Sequence, residues 1–368
     1  MRRKGLRNSN FKILLTIISL IFSINSESSI FSERMKNPDT VFLQKSLINL
    51  ISPQKLKNEL NQFLQVTFPG RSYKSLGHKG LKKFFSDYAV KNNVWIEQHK
   101  FVPEVDWALN NLKNEFSKKI AKQYSPNSKE YKKWANFVRH IEREYKEIRT
   151  KKFSNYFWKK DGRDKSRTLI LSANIDSIGQ ISSSKEIVHD GYFFGAHDNA
   201  SSVVSLLELI KVFNQVDLPY NVMIVFFDLQ EFGNLGSNAF AKDYFSKEKN
   251  TIITHINSLR ISKVNGTKTP RVFKLFGQRR KTGEGFLRKA GFLIPEAKLK
   301  REFNNYAGSD TGPFIDREID SYTLVGLNQA EEKNLIHQVS DSVETIDFYQ
   351  YSLGTKLLFS LALSWMFP

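Results

Sequence analysis

From Arg167 onward, short apolar runs alternate with amphipathic segments, and this alternation predicts strands interleaved with helices. The run 168–173 is almost continuously apolar, which is typical of a strand that is buried on both faces. Further strands are predicted over 222–227, 252–259, 272–276 and 322–325, and helices over 199–213, 238–244, 285–290 and 348–365. This order indicates an α/β fold with helices packed on a largely parallel sheet.

The part of the chain before Arg167 is mostly helical by the same criteria. Residues Lys45 to Leu64 have apolar positions near helical spacing, which predicts one helix, and 80–90 predicts another before a strand at 94–101. Residues 100–167 contain nineteen Lys or Arg and nine Asp or Glu. Their spacing is typical of solvated helices, and we predict a basic helical insertion over 104–150 that can contact an anionic surface.

The N-terminus has the pattern of an export signal. Five basic residues lie within the first twelve, an apolar run follows from Ile13 to Ile24, and small residues stand at Ser26 and Ser28. The apolar run is too short to span a bilayer, so we predict a signal peptide over 1–28. The mature protein is then exported, to the periplasm or the extracellular space. The short apolar stretch from Leu357 to Phe367 predicts a buried final helix rather than a membrane span.

Composition excludes several kinds of site. The chain has no cysteine, so disulfides, thiolate zinc sites and cysteine nucleophiles are absent. It also lacks the G-x-S-x-G, H-E-x-x-H and phosphate-loop patterns. The net charge of +19 favours anionic partners, but no nucleic-acid recognition motif accompanies it.

Polar clusters follow the predicted strands and therefore converge at one edge of the sheet. Together they supply the oxygen and nitrogen ligands of a metal that activates water. Each cluster alone has an ordinary structural explanation as a helix cap or a solvated turn. In chain order they are 174–176 (Asn-Ile-Asp), 195–201 (Gly-Ala-His-Asp-Asn-Ala-Ser), 227–233 (Phe-Asp-Leu-Gln-Glu-Phe-Gly), 308–314 (Gly-Ser-Asp-Thr-Gly-Pro-Phe) and 336–341 (Ile-His-Gln-Val-Ser-Asp).

In this order the clusters resemble the zinc aminopeptidases of metallopeptidase family twenty-eight, a family that also contains the glutaminyl cyclases. The family pattern is H-x-D, G-A-x-D-N-x-S, F-D-x-E-E-x-G, S-D-x-x-P-F and a late His followed by Asp. The resemblance extends from about Pro69 to the C-terminus. It implies one metallopeptidase-like domain over 29–368, a three-layer α/β/α sandwich around a mixed, mostly parallel, twisted sheet.

The resemblance also implies roles for individual residues. Asp198, Glu231 and His337 correspond to the ligands of one zinc, with Asp198 bridging to a second metal in the family. Asp310 corresponds to a ligand of the second metal, and Asp176 to a carboxylate that steadies the catalytic region. Further matches to the family pattern are Asn199, Ser201 and Asp341.

Two positions depart from the family pattern. Asn174 stands where the family has a histidine ligand of the second metal, and an amide oxygen is a poor zinc ligand. The second metal is therefore doubtful, unless His197 or His189 replaces the missing imidazole. Gln230 stands where the family has the glutamate that serves as general base, and a carboxamide cannot accept that proton.

These observations leave three functions open. The first is a zinc-dependent aminopeptidase-like hydrolase that removes N-terminal residues from peptides with weakened chemistry. The second is a non-catalytic relative that uses the cleft to bind a peptide or a partner. The third is a glutaminyl cyclase-like acyltransferase with a single zinc, which also needs the proton transfer that Gln230 cannot perform.

Overall fold

One large mixed sheet forms the centre of the computed structural model, which describes residues 35–178, 180–181, 187–188, 193–245, 251–278, 285–306 and 308–368. The predicted signal peptide, 1–28, and His189 lie outside these residues. The strands are β1 (Glu97–Phe101), β2 (Phe153–Lys160), β3 (Asp164–Asn174), β4 (Gln180–Ile181), β5 (Ile187–Val188), β6 (Tyr220–Phe227), β7 (Ile252–Leu259), β8 (Val272–Phe276), β9 (Lys298–Glu302) and β10 (Asp320–Val325).

Helices precede, interrupt and follow the strands. They are α1 (Val41–Ile48), α2 (Pro53–Val66), α3 (Leu76–Asn92), α4 (Val105–Glu115), α5 (Ala121–Gln123), α6 (Lys129–Ile148), α7 (Ser201–Phe213), α8 (Leu235–Phe245), α9 (Gly285–Leu293), α10 (Gly312–Ile315), α11 (Gln329–Leu335) and α12 (Phe348–Met366). Among the described residues, every helix is too short or too polar to cross a membrane. Helix α12 is almost wholly buried against the protein, as predicted for its apolar sequence.

The sheet has the order β1-β2-β6-β3-β7-β10-β8-β9, and its four central strands β6, β3, β7 and β10 are parallel. Alternate side chains of β3 face opposite layers: Leu169 and Leu171 pack in the core that contains α2, α7 and α12, whereas Ile170 packs with Phe240 of α8 and Phe314 of α10. Two-sided burial explains the continuous apolar run in the sequence. The predicted α/β sandwich is confirmed.

Two local predictions were wrong. Residues 45–64 form two helices instead of one, because Ser52 accepts a hydrogen bond from the Lys55 N–H and Pro53 occupies the first helical position. The helix predicted over 199–213 begins only at Ser201, and no side chain among the described residues caps its first turn. Asn199, which precedes this helix, donates a hydrogen bond to Asn174 Oδ1.

The basic insertion is amphipathic and packs on the domain along one face. Helix α6 buries Ile141, Tyr145 and Ile148 in a cluster that includes Phe232, next to the predicted metal ligand Glu231. The Tyr145 hydroxyl donates a hydrogen bond to the Phe232 carbonyl at 2.7 Å. The opposite face is solvated, as predicted, with exposed lysines at 118, 119, 122, 129, 132 and 133. Their contact with an anionic surface stays a prediction.

The first turn of helix α3 packs closely against the backbone of residues 67–70, just before Arg71. Gly77 permits this close approach. A Cβ at Gly77 would lie 1.9 Å from the Thr67 carbonyl oxygen and 2.3 Å from that of Gly70. Both contacts are with backbone, which cannot rotate away. Gly77 therefore fixes the spacing between α3 and the segment that ends at Arg71.

We expect Gly77→Ala to lower the free energy of unfolding by about 2 kcal/mol or more, because the added methyl group overlaps two carbonyl oxygens. Gly291→Ala is the matched control: it also lies in a helix, but a Cβ there meets no atom within 4 Å. Greater helix propensity should make Gly291→Ala neutral to about 1 kcal/mol stabilising. Urea denaturation followed by circular dichroism measures both. An unchanged midpoint for Gly77→Ala would contradict the packing argument.

Candidate metal centre

The candidate site lies where the central parallel strands end. Strand β3 leads to Asp176, β6 leads to Glu231, and β7 leads to Arg260. Asp198 comes from the loop before α7, and His337 follows α11. The carboxyl ends of neighbouring parallel strands meet at one sheet edge, so these segments converge although they are distant in sequence.

Three side chains approach each other closely enough to share a metal ion. One ligand atom from each of Asp198, Glu231 and His337 lies within 4.8 Å of the other two. His337 Nε2 is 3.3 Å from Glu231 Oε2 and 3.6 Å from Asp198 Oδ2. Two ligands of a tetrahedral zinc, each about 2.0–2.1 Å from the ion, lie roughly 3.3 Å apart. The spacing and the donor types therefore fit one zinc ion.

Charge at the site centres on Asp198, which is buried. Burial raises the pKa of its carboxyl group, but Arg260 and His337 outweigh burial and hold the pKa below its ordinary value. Burial lowers the pKa of His337, whereas the Glu231 and Asp198 carboxylates raise it, with a net increase. Asp198 Oδ1 is buried and makes no hydrogen bond among the described residues, although Arg260 Nε lies 3.1 Å from it as an ion-pair partner.

Asp176 fixes the backbone that presents Glu231. Its two carboxylate oxygens accept hydrogen bonds from the backbone N–H groups of Gln230 at 3.1 Å and Glu231 at 3.0 Å. Burial raises the pKa of Asp176, and the nearby charges of Asp228 and Glu231 raise it further. Asp176 thus orients a predicted ligand without belonging to the group of three.

Asp341 performs the same task for Asp198. Its carboxylate accepts hydrogen bonds from the N–H groups of His197 at 2.6 Å and Asp198 at 3.1 Å. Burial raises the pKa of Asp341 to about 7, although these two hydrogen bonds lower it. The acidic residue after the late histidine therefore anchors the loop that contains Asp198.

Arg71 connects several of the site loops through hydrogen bonds to their backbone. Its buried guanidinium donates to the carbonyl oxygens of Ile175 at 2.9 Å, Phe194 at 2.5 Å, Gly195 at 2.9 Å and Asp198 at 3.4 Å. Burial lowers its pKa to about 10, so it remains charged at neutral pH. The sequence pattern did not indicate a role for Arg71 in the site.

Gln230 and Asp310 belong to two loops that contact each other. The Gln230 side-chain amide donates a hydrogen bond to the carbonyl oxygen of Gly308. Asp310 is completely buried, and burial raises its pKa to about 7, opposed by a hydrogen bond with Ser237 and assisted by Glu231. Asp310 is not one of the three clustered ligands, and its role toward a second metal stays a prediction.

Asn174 and His197 both make hydrogen bonds that use their potential ligand atoms. The Asn174 carbonyl oxygen accepts a hydrogen bond from Asn199 Nδ2 at 2.8 Å. The ring nitrogens of His197 face two hydroxyl groups, Ser262 Oγ at 2.6 Å and Thr345 Oγ1 at 3.0 Å. Burial lowers the His197 pKa to about 4, so its ring is neutral at neutral pH. His197 therefore does not supply the missing imidazole.

Arg260 is the residue that the sequence reasoning missed. Its Nε lies 3.1 Å from Asp198 Oδ1, and Nη2 donates to Asp198 Oδ2 at 3.2 Å. The position rule that found the other clusters also applies to Arg260, since it directly follows β7. A guanidinium cannot ligate a metal ion, so a strand-end rule for metal ligands passes over Arg260.

A cleft of about 340 Å³ has Glu231, one of the three clustered residues, in its lining. One wall is polar and includes Gln230, Glu231, Arg260 and Tyr306. The other comes from the insertion, and its side chains include Trp107, Ala108, Leu112, Phe137 and Ile141. The insertion thus contributes an apolar wall next to the candidate metal centre, which its charged sequence did not indicate.

Known protein structures share this architecture. LapA aminopeptidase of Legionella pneumophila is 14% identical with a TM-score of 0.61, and the alignment covers 88% of this chain and 74% of LapA. BSAP, a zinc aminopeptidase from Bacillus subtilis, is 14% identical with a TM-score of 0.61, covering 85% and 94%. An Acidobacteriales bacterium glutaminyl cyclase is 15% identical with a TM-score of 0.56, again covering 85% and 94%.

At such low identity these likenesses show the fold alone. No curated protein sequence matches the chain. The sequence profile of Peptidase family M28 matches residues 155–356, which include all five polar clusters and the helices between them. That match spans more than half of the chain and includes all three clustered residues, Asp198, Glu231 and His337. The chain therefore belongs to peptidase family M28.

Proposed function

We propose that this protein is an exported, zinc-dependent aminopeptidase-like hydrolase that removes N-terminal residues from peptides at a reduced rate. Asp198, Glu231 and His337 hold the zinc. Gln230 is the cause of the reduced rate. Export rests on the pattern of residues 1–28, a basic start followed by an apolar run and small residues.

The observation that supports this function is the close approach of the three ligand atoms, two of whose separations are 3.3 and 3.6 Å. Catalytic zinc sites have three protein ligands and a further open position, and both imidazole and carboxylate are zinc ligands. A bound zinc would supply Lewis acidity to the scissile carbonyl and acidify a water molecule. The chain itself orients the ligands, through Asp176 for Glu231 and Asp341 for Asp198.

Gln230 limits the chemistry because a carboxamide cannot accept a proton at neutral pH. A positioned general base contributes roughly 10² to 10⁴ in rate. The Gln230 amide instead donates to the Gly308 carbonyl, so this side chain joins two loops. This arrangement favours slow hydrolysis, or peptide binding without hydrolysis as the second candidate. A cyclase-like acyl transfer meets the same obstacle, since it also requires proton transfer.

The decisive experiment compares zinc-dependent release of product from aminoacyl anilides by wild type, Gln230→Glu and Glu231→Ala. We expect slow turnover by wild type and an increase on the order of 10²-fold in Gln230→Glu, because the new carboxylate can take the proton. The Asp176 carboxylate, which already contacts the backbone at this position, would raise the pKa of this new group. Glu231→Ala should have no activity.

Gln54→Glu is the matched control, since it makes the same change of charge at an exposed position in α2 and should leave the rate unchanged. If wild type, Gln230→Glu and Glu231→Ala all release no product, the protein is not a hydrolase. The cleft would then be a binding site, which titration with an unlabelled peptide tests directly.

Asp176→Asn should weaken zinc binding by roughly 10- to 100-fold, the usual effect of removing a partner that orients a ligand. An asparagine offers only one oxygen to the two N–H groups of Gln230 and Glu231. Competition with a chromogenic chelator measures the zinc dissociation constant. Asp161→Asn is the control, because Asp161 is exposed and pairs only with Lys165 among the described residues. Equal affinities for both variants would refute the orienting role.

The apolar wall from the insertion should favour N-terminal residues with large apolar side chains. We expect Trp107→Ala to lower kcat/KM for leucyl or phenylalanyl anilides about tenfold relative to alanyl anilide, through lost apolar contact. Phe116→Ala is the control: Phe116 also belongs to the insertion, but its ring packs on Tyr131 at 5.2 Å. The assay is run in wild type and in the Gln230→Glu background. An unchanged preference in Trp107→Ala would remove this wall from the substrate pocket.

A further inference from the structure

Arg260 contacts the carboxylate of Asp198 through both of its oxygens. The Arg260 side chain is 16% exposed, and its Nε and Nη2 lie 3.1 and 3.2 Å from Asp198 Oδ1 and Oδ2. His337 Nε2 approaches Oδ2 at 3.6 Å. Asp198 therefore has a permanent cation of the chain beside both oxygens and a candidate metal ligand beside one of them.

The same guanidinium is enclosed by a second carboxylate. Its Nη1 lies 3.5 Å from Glu332 Oε1 and 3.3 Å from the Tyr306 hydroxyl, which donates to Glu332 at 2.6 Å. The Arg260 guanidinium thus lies between the carboxylates of Asp198 and Glu332. Two carboxylates that face one enclosed space form a cation site, and here the cation is Arg260.

The backbone of Arg260 is held in place as well. Its N–H donates to Asn199 Oδ1 at 2.8 Å, and Asn199 Nδ2 donates to Asn174 Oδ1 at 2.8 Å. Its φ angle of 52° is one that residues other than glycine rarely adopt, so the surrounding contacts specify this conformation. Asn174 is therefore engaged in fixing Arg260 and is not directed at a metal.

We propose that Arg260 takes the place of a second metal ion, so that the site binds one zinc and no more. A guanidinium is charged at every accessible pH, and it excludes a second divalent cation by repulsion and by volume. Arg260 is a positioning residue, because it acts through Asp198. The inference rests on the proposed function and adds a fixed metal stoichiometry to it.

The test is the number of zinc ions bound per chain, measured by calorimetric titration and by elemental analysis after gel filtration with zinc in the buffer. Wild type should bind one. Arg260→Ala should bind a second, weaker equivalent, because it leaves Asp198 and Glu332 facing an empty space. Adding Glu332→Gln to that variant should remove the second equivalent. Arg260→Lys keeps the charge and should stay at one.

Arg317→Ala is the matched control and should bind one zinc, because Arg317 contacts the Pro313 carbonyl and Asn238 away from the cluster. Should Arg260→Ala not fold, Arg260→Gln, which is neutral and can hydrogen-bond Asp198, should bind the second equivalent. Two zinc ions in wild type would overturn the inference and leave the proposed function standing. One zinc in every folded Arg260 variant would also overturn it. No zinc in wild type would overturn the proposed function and the inference with it.

Discussion

A buried carboxylate needs a positive partner, and the site is organised around this requirement at Asp198. An isolated carboxylate in the protein interior would take up a proton to avoid its desolvation cost. Arg260 prevents this by its fixed positive charge, and His337 adds to the effect. The loop itself is held by Asp341 through two N–H groups and by Arg71 through carbonyl oxygens. A metal ligand can remain ionised here because the surrounding fold compensates its charge in advance.

The sheet and the site loops could be predicted from the sequence because both follow from local pattern. Strand β6 contains the predicted range 222–227 and β3 the predicted range 168–173, since strands buried on two faces have largely apolar sequence. The polar clusters at 174–176 and 227–233 could be found because they directly follow these strands. Ser52 and Pro53 are a helix-start signal that also predicts the break between α1 and α2. The apolar positions continue at helical spacing across this break, so the spacing alone predicts a single helix.

The remaining features depend on contacts between residues that are far apart in sequence. Arg260 pairs with Asp198 across 62 positions, and its place after β7 does not show which carboxylate it contacts. The apolar wall formed by Trp107 and Phe137 depends on how the insertion folds back over Glu231. The sequence of the insertion is mainly charged, because more of its residues lie on the solvated face than on the packed face. Periodicity identified the helices but not the side of the domain on which they pack.

Arg260 and Gln230 change the site in the same direction. An arginine is a permanent charge that the chain supplies, whereas a metal ion can be lost or exchanged with solvent. A glutamine is a permanent hydrogen-bond donor to Gly308, whereas a glutamate would alternate between accepting and releasing a proton. Both residues replace an adjustable group with a fixed one, and both add contacts between loops of the cleft. Under the proposed function, the result is a rigid site with one exchangeable component, a zinc ion at Asp198, Glu231 and His337.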